Sequence, residues 1–338
     1  MKLLPYSNGV YKVNMKNKKE LKDILKIIFI SIIVILLLGF IYQKISNFIA
    51  NETLKERVDF TRVDEKRLDY LLEGDGGKYT IVFDGNLGSN LNQWDSVVEE
   101  VLNKYDDVST FVYNRRGYGF SDSGSVRTIK EQAEDLRILL RKSGAQSPYI
   151  LVGEEYGSLV LTEFAKAYPD LIAGVVLINP LVEEEMKGDS FKKEIKSELV
   201  RSEIEKIGSS FGLTALLDKL NLSLNTSEFE SNLNEEDLEE FLIHRTKKSY
   251  TKAVSNEISN IAKGESTSQA EGAFKDKPYY LIAKKNQISL KNLGDEKLTT
   301  INEIESDNRI ITYSHKDSVI TAIRSVIKSA NEIERINN

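Results

Sequence analysis

The stretch YILVGEEYGSLVLTEFAKAYPDLIAGVVLINP, residues 149–180, constrains this chain more than any other. An apolar run stops at Gly153-Glu154-Glu155-Tyr156-Gly157, a helical pattern starts at once, and a second apolar run, GVVLI, follows it. Strand, tight turn, helix and strand in so short a span describe a βαβ unit, whose two strands lie parallel in one sheet. Glycines on both sides of the turn allow strand and helix backbones to approach closely.

The rhythm extends in both directions. YTIVF (79–83), a helix near 92–104, VSTFVY (108–113) and a helix near 128–142 come before it. YYLIA (279–283), RIITYS (309–314) and a last helix, Asp317 to Ile333, come after. Ahead of all these, RVDFTRVDEKRLDYLLEGDG reads as two antiparallel strands separated by turn residues. Such alternation implies an α/β fold, a mostly parallel sheet flanked by helices on both faces. Residues 183–275 depart from it: they are helical in pattern, highly charged and poor in strand signal. The expected organisation is therefore an α/β core of 58–182 and 276–338, interrupted by a helical insertion, 183–275.

Before the core, IIFISIIVILLLGFIYQ (27–43) carries no charge between Lys26 and Lys44. Its apolar part, Ile27 to Tyr42, spans roughly 24 Å as a helix, against a hydrocarbon layer of about 30 Å. Snorkelling lysines and an interfacial Tyr42 make up the difference. The region after it, QKISNFIANE, offers no clear small-x-small cleavage site, so 27–43 reads as an uncleaved transmembrane anchor rather than a removed signal peptide. Residues 44–57 then form a polar stalk, and 1–26 a basic tail with seven lysines against Glu20 and Asp23. The lysine-rich end is expected to stay in the cytoplasm, making this a single-pass protein of the cell membrane with an extracytoplasmic body.

The net charge of −6 hides that asymmetry, because residues after 26 carry −11. An acidic body argues against nucleic acid as a partner, since phosphate binding needs clustered positive charge. There are no cysteines, which excludes disulfides and thiolate chemistry. Only His244 and His315 are available to an imidazole mechanism, and so few histidines argue against a multi-histidine metal site. No metal or cofactor is expected.

The order of elements resembles the α/β-hydrolase family, in particular its cap-bearing, proline-iminopeptidase-like group. Four pieces carry the resemblance. RLDYLLEGDGGKYTIVFDGNLGSNLNQWDSVV looks like the second and third strands, with Asp84 to Gly88 at the oxyanion loop and Trp94 in the helix beyond. FVYNRRGYGFSD (111–122) looks like the turn after the fourth strand; residues 149–180 look like the nucleophile strand, elbow and helix. YYLIAKKNQ and RIITYSHKDSVITAI look like the regions of the acid and the histidine. The resemblance implies a helical cap over 183–275 and an elbow flanked by Gly153 and Gly157. It also implies an oxyanion hole made by the amides of Tyr156 and Asn86.

It implies, too, that Glu155 stands where the family has its nucleophilic serine. The base position falls on His315, and the acid position on Asn286 or Asn179, amides that orient an imidazole without stabilising its charge. Glu183 to Glu185 and Asp295 are other acids within reach in sequence. Some members of the fold use a carboxylate nucleophile, usually aspartate, to form an alkyl ester. Glu155 is one methylene longer, the insertion offers only Tyr250 where epoxide opening enlists two tyrosines, and Tyr156 stands where haloalkane chemistry has tryptophan. Ser158 would face away from the elbow. Gly208-Ser209-Ser210-Phe211-Gly212 matches G-x-S-x-G in letters but follows a helix rather than a strand. His244, in the insertion, reads as a surface residue, and Arg115 and Arg116 as structural.

The expected function is thus that of a membrane-anchored hydrolase-fold protein without serine chemistry, with Glu155 folded into the oxyanion hole. It would bind a small molecule, lipid or peptide between cap and core. The alternative is an active ester, amide or epoxide hydrolase using Glu155 as nucleophile or base with His315.

Overall fold

The computed structural model describes residues 21–54, 57–74, 76–264 and 268–337. Most of the predicted basic tail and a piece of the predicted stalk lie outside the described residues. The first helix, α1, runs Leu21–Thr53, so the stretch expected as a stalk continues the helix as far as Thr53. Within its segment Leu21–Phe48 an 18-residue stretch reaches a mean hydropathy of 3.1, and the segment is long and apolar enough to cross a membrane.

The core follows in the order β1 Asp59–Val63, β2 Lys66–Glu73, β3 Tyr79–Asp84, α2 Asp95–Lys104, β4 Val108–Tyr113, α3 Ile129–Ser143, β5 Tyr149–Glu154, α4 Tyr156–Ala167 and β6 Ile172–Ile178. Helices α5 Glu183–Met186, α6 Asp189–Ser209, α7 Thr214–Lys219, α8 Ser227–Glu230, α9 Glu235–Arg245 and α10 Lys248–Lys263 come next. The chain returns to the sheet with β7 Tyr279–Ala283 and β8 Thr299–Glu303, and ends with α11 Ile311–Ser314 and α12 Lys316–Asn337.

Among the described residues the strands form one sheet in the order β1-β2-β4-β3-β5-β6-β7-β8. The β1–β2 hairpin is antiparallel, and β2 is antiparallel to β4; the other pairs are parallel. β3, β4, β5 and β7 are buried along their whole length, which is why they read as unbroken apolar runs rather than alternating ones. One face packs on α3 and α4, through Leu136, Leu139, Leu159 and Phe164; the other packs on α2 and α12, through Val97, Val101, Ile323 and Val326.

RIITYS was expected as the last strand. It is instead a bend at Arg309 and Ile310 followed by α11. The last strand is β8, TTINE, a mostly exposed edge strand whose polar residues gave no apolar signal.

The chain passes from β3 to β4 on one side, then places β5 on the other side of β3. At such a switch point the loops leaving the two carboxyl ends diverge and open a crevice. Here the ends are Asp84 and Glu154. Close packing of α4 against β3 fixes the crevice wall: a Cβ on Gly157 would lie 2.2 Å from the Asp84 carbonyl oxygen, and one on Gly153 would lie 3.0 Å from Ser158 Cα.

A Gly157→Ala variant should therefore lose about 3 kcal/mol, a backbone-on-backbone overpacking. Gly144→Ala, at a left-handed helix end with open space around it, should lose only about 1 kcal/mol. Equal losses in chemical unfolding would contradict the close approach.

Candidate functional site

The residue after β5 is Glu155, with φ 47° and ψ −110°. A side chain other than glycine at positive φ is strained, and the surroundings must hold it there. They do so from both sides: Glu155 N donates to Ile178 O at 3.2 Å, and Ser158 N donates back to Glu155 O at 3.2 Å. Ser158 is buried on the first turn of α4, with its hydroxyl also given to Glu155 O.

The Glu155 carboxylate is held by a fork of donors. Oε1 accepts from Arg309 Nε at 3.0 Å; Oε2 accepts from Leu87 N at 2.8 Å and from Arg309 Nη2 at 3.2 Å. Arg309 Nη2 also donates to Leu87 O at 2.6 Å. Planar guanidinium and carboxylate match in shape, so this pairing is directional as well as electrostatic. Burial works against the Arg309 charge, but the Glu155 carboxylate prevails and holds its pKa above the usual value.

The backbone of Arg309 is pinned in turn. Its carbonyl accepts from Asn86 Nδ2 and Asn179 Nδ2, each at 3.2 Å, and Gln287 Nε2 donates to Asn179 Oδ1 at 2.9 Å. From the helices above, Glu228 accepts from Arg309 N at 3.0 Å and from Ile310 N at 3.1 Å.

Glu154, the last residue of β5, is fully buried beneath this pair. Its carboxyl bonds Ile311 N, Thr312 N at 3.4 Å, Thr312 Oγ1 at 2.6 Å and Gln93 Nε2 at 2.8 Å. Burial pushes its pKa up to about 8, and the nearby Glu155 charge adds to the rise. Thr312 Oγ1 is able to accept as well as donate, so a proton on Glu154 has a partner.

The loop after β3 is tied down from below. Arg115 pairs with Asp84 and, at 2.7 Å, with Glu257 of α10, and it donates to Gly85 O and Asn86 O, each at 3.1 Å. Tyr118 OH donates to Glu257 at 2.7 Å and accepts from Gly88 N at 3.2 Å, while Tyr250 OH donates to Gly88 O at 2.8 Å. Arg116 pairs with Asp135 at 2.5 Å.

Several sequence expectations meet different surroundings. The Asn86 amide donates to Gln93 Oε1 at 2.9 Å, and it is the Leu87 amide that faces Glu155. Tyr156 N heads α4, where helix amides lack intrahelical partners, and the Tyr156 ring is buried with its hydroxyl bonded to Asn260 at 3.0 Å. His315 ends α11, donating through its amide to Ile311 O and meeting Ser314 Oγ at 2.9 Å; Arg309, six residues earlier, is the group that reaches Glu155. The displacement follows from the missing strand, because β8 ends at Glu303 and the loop passes the elbow at Arg309.

Asn179 joins the site, whereas Asn286 is exposed and bonds Glu185 at 3.2 Å. Glu183 accepts from Ser268, and Asp295 from Asp276 N. His244 is buried against Phe120, not on the surface, and burial lowers its pKa to about 3. Ser210 caps the end of α6. Glu154 and Arg309 were not singled out by sequence reasoning. An acid ending a strand buried on both faces was the available signal for the first; for Arg309 there was none. Among the described residues no group of three acidic or histidine side chains is placed to hold a metal.

Glu154 carries a pH prediction. Its pKa is raised on folding, so the unfolded chain releases this proton first, and stability falls as pH rises from about 4.5 to about 8. Glu154→Gln should flatten that part of the melting-temperature profile. An unchanged slope would contradict the assigned proton.

Comparison with known proteins agrees with this geometry. The family profile described as the alpha/beta hydrolase fold matches residues 81–299. Two proteins of Bacillus subtilis strain 168, both called uncharacterised, are similar: YqjL is 30% identical over 102 residues, 30% of this chain and 39% of that protein. YbdG is 29% identical over 167 residues, 48% of this chain and 50% of that protein. The chain thus matches half or less of the length of these relatives. Among solved structures, a thermophilic esterase from Thermogutta terrifontis superposes with a TM-score of 0.60 at 16% identity, covering 81% of this chain and 99% of that one. The Cif epoxide hydrolase from Acinetobacter nosocomialis gives 0.63 at 13% identity, covering 84% and 96%. At those identities the likeness concerns the fold alone. With a switch-point crevice, a strained strand-to-helix elbow and a profile match over most of its length, this chain belongs to the α/β-hydrolase fold family.

Proposed function

We propose that this protein is a membrane-anchored member of its family that binds a ligand beside the elbow and carries out no serine-hydrolase turnover. The observation that supports the reading is the occupancy of the elbow. Glu155 stands in the nucleophile position of the fold, and both of its carboxylate oxygens are engaged by Arg309 and the Leu87 amide. Attack on a substrate needs a free lone pair about 3–3.5 Å from the electrophile. The side chain nearest the elbow from the last loop is a guanidinium, which stays protonated at neutral pH and so cannot serve as a base. Asn179 and Gln287, where an acid would orient a histidine, are uncharged.

A carboxylate-nucleophile mechanism is weakened by the same fork. It is weakened again by Tyr250, whose hydroxyl is given to Gly88 O rather than to the crevice.

A cleft of about 470 Å³ opens over Glu155 and Arg309, within the range of small-molecule sites. Its walls include Leu181, Phe191, Ile195, Leu224, Phe229 and Ile258, with Glu194, Glu198 and Arg201 also lining it. Such a lining suits a small molecule, lipid or peptide with an apolar body and a polar end that meets the Glu155–Arg309 pair. In this reading residues 183–275 are the cap, 58–182 and 276–338 the core, and 27–43 the anchor. The lysine-rich tail stays in the cytoplasm and the body lies outside.

The test assays the full chain in detergent on short-chain esters and an epoxide, beside Glu155→Gln, Glu155→Ser and the double variant Glu155→Ser/Arg309→His. The parent and both single variants should be silent. The double variant should gain tenfold or more over background, since a positioned base contributes roughly 100-fold or more. Turnover by the parent that Glu155→Gln abolishes would overturn the proposal.

A further inference from the structure

We infer that the exposed face of α6 and the α6–α7 turn dock on the lipid bilayer that α1 enters, an inference that rests on reading α1 as a membrane span. The first half of helix α6 turns Phe191, Ile195 and Leu199 toward the core, but its second half carries an apolar face outward. Its buried positions include Ser202, Glu205 and Ser209, whereas Val200, Ile204 and Ile207 are exposed, Ile207 by 61%. The spacing 200, 204, 207 puts those three on one helix face. The polar groups turned inward have partners: Glu205 accepts from Leu224 N at 2.9 Å, and Ser209 Oγ meets Thr251 Oγ1 at 2.8 Å. Past the turn, Leu216, Leu220 and Leu222 continue the exposed apolar surface. Large contiguous apolar surfaces of this kind mark interaction sites.

The occupant follows from where this surface meets α1. The turn is Gly208-Ser209-Ser210-Phe211-Gly212, whose lettering imitates a nucleophile motif but whose role is packing. A Cβ on Gly39 would lie 2.1 Å from Phe211 O, and one on Gly212 would lie 3.0 Å from Gly39 O and 3.4 Å from Tyr42 Cδ1. Gln43 Nε2 donates to Thr246 O at 3.3 Å just beyond. Gly39 is three residues inside Tyr42, so the turn reaches about 5 Å below the end of the apolar part of α1. Phe211 therefore sits at the depth of the membrane interface, and the α6 and α7 side chains beside it meet lipid. Beside Ile207 and Phe211, Lys206, Lys248, Lys252 and Lys263 line a groove with Glu203 as its one carboxylate. An excess of lysine at that level fits anionic phospholipid headgroups, each lysine near such a surface strengthening binding about fivefold.

The chain lacks cysteine, so single cysteines can be labelled without background. The full chain is placed in nanodiscs of mixed neutral and anionic phospholipid, with fluorophores at Val34→Cys, Ile207→Cys, Leu216→Cys or Ile301→Cys and a quencher on the lipid chains. Positions 34, 207 and 216 should be quenched at least twofold more than 301, which lies on the edge strand β8. Reversing Lys248 and Lys263 to glutamate should reduce the quenching at 207. Quenching at 34 without quenching at 207 and 216 would overturn the docking while leaving the anchor intact. No quenching at 34 would overturn both, and equal quenching at 301 would overturn the docking of this face, because the body would then lie on the bilayer without a preferred side.

Discussion

The ion pair between Glu155 and Arg309 is the interaction on which the site depends. A glutamate at positive φ, at the end of a buried strand, has to be held there, and its carboxylate needs a partner once the cleft wall covers it. Arg309 supplies that partner with two nitrogens while its own backbone is bonded by Asn86, Asn179 and Glu228. The bonds converge from the ends of β3 and β6, from the last loop and from the helices over the sheet. Side-chain exposures of 33% for Arg309 and 16% for Glu155 leave the pair partly screened, so its worth lies in geometry as much as in charge.

Beneath it lies a second layer of charge that faces the other way. Arg115, between Asp84 and Glu257, ties the β3 loop to α10, and Tyr118 and Tyr250 finish the satisfaction of Gly88. The backbone of the loop after β3 is thereby kept in shape by side chains from beneath it. Glu154 adds a buried acid to the same region, bonded to Thr312 and to Gln93, and its proton links the stability of the elbow to pH.

Much of the fold was legible because its strands are long, apolar and evenly spaced. YTIVF, VSTFVY, YILV and YYLIA each became a strand, and the elbow between Gly153 and Gly157 lies where the glycines put it. Legibility failed at the edge. TTINE forms β8 with no hydrophobic signature, and RIITYS, which has one, became a bend and a short helix. That single exchange moved the last loop by six residues, so attention fell on His315 while Arg309 took the place beside the elbow. His244 was misread for a related reason: charged neighbours suggested a surface, yet its ring packs on Phe120. Amphipathic pattern reports a helix face but not which way it points: the second half of α6 turns Val200, Ile204 and Ile207 outward.

The most direct test of the central claim is a double-mutant cycle in chemical unfolding with Glu155→Gln, Arg309→Gln and the double variant. If the pair holds the elbow, the double variant costs less than the two single variants added together, with a coupling energy of about 1–2 kcal/mol. Additive losses, with coupling near zero, would mean that Glu155 and Arg309 stand side by side without holding each other, and the reading of an occupied elbow would fall.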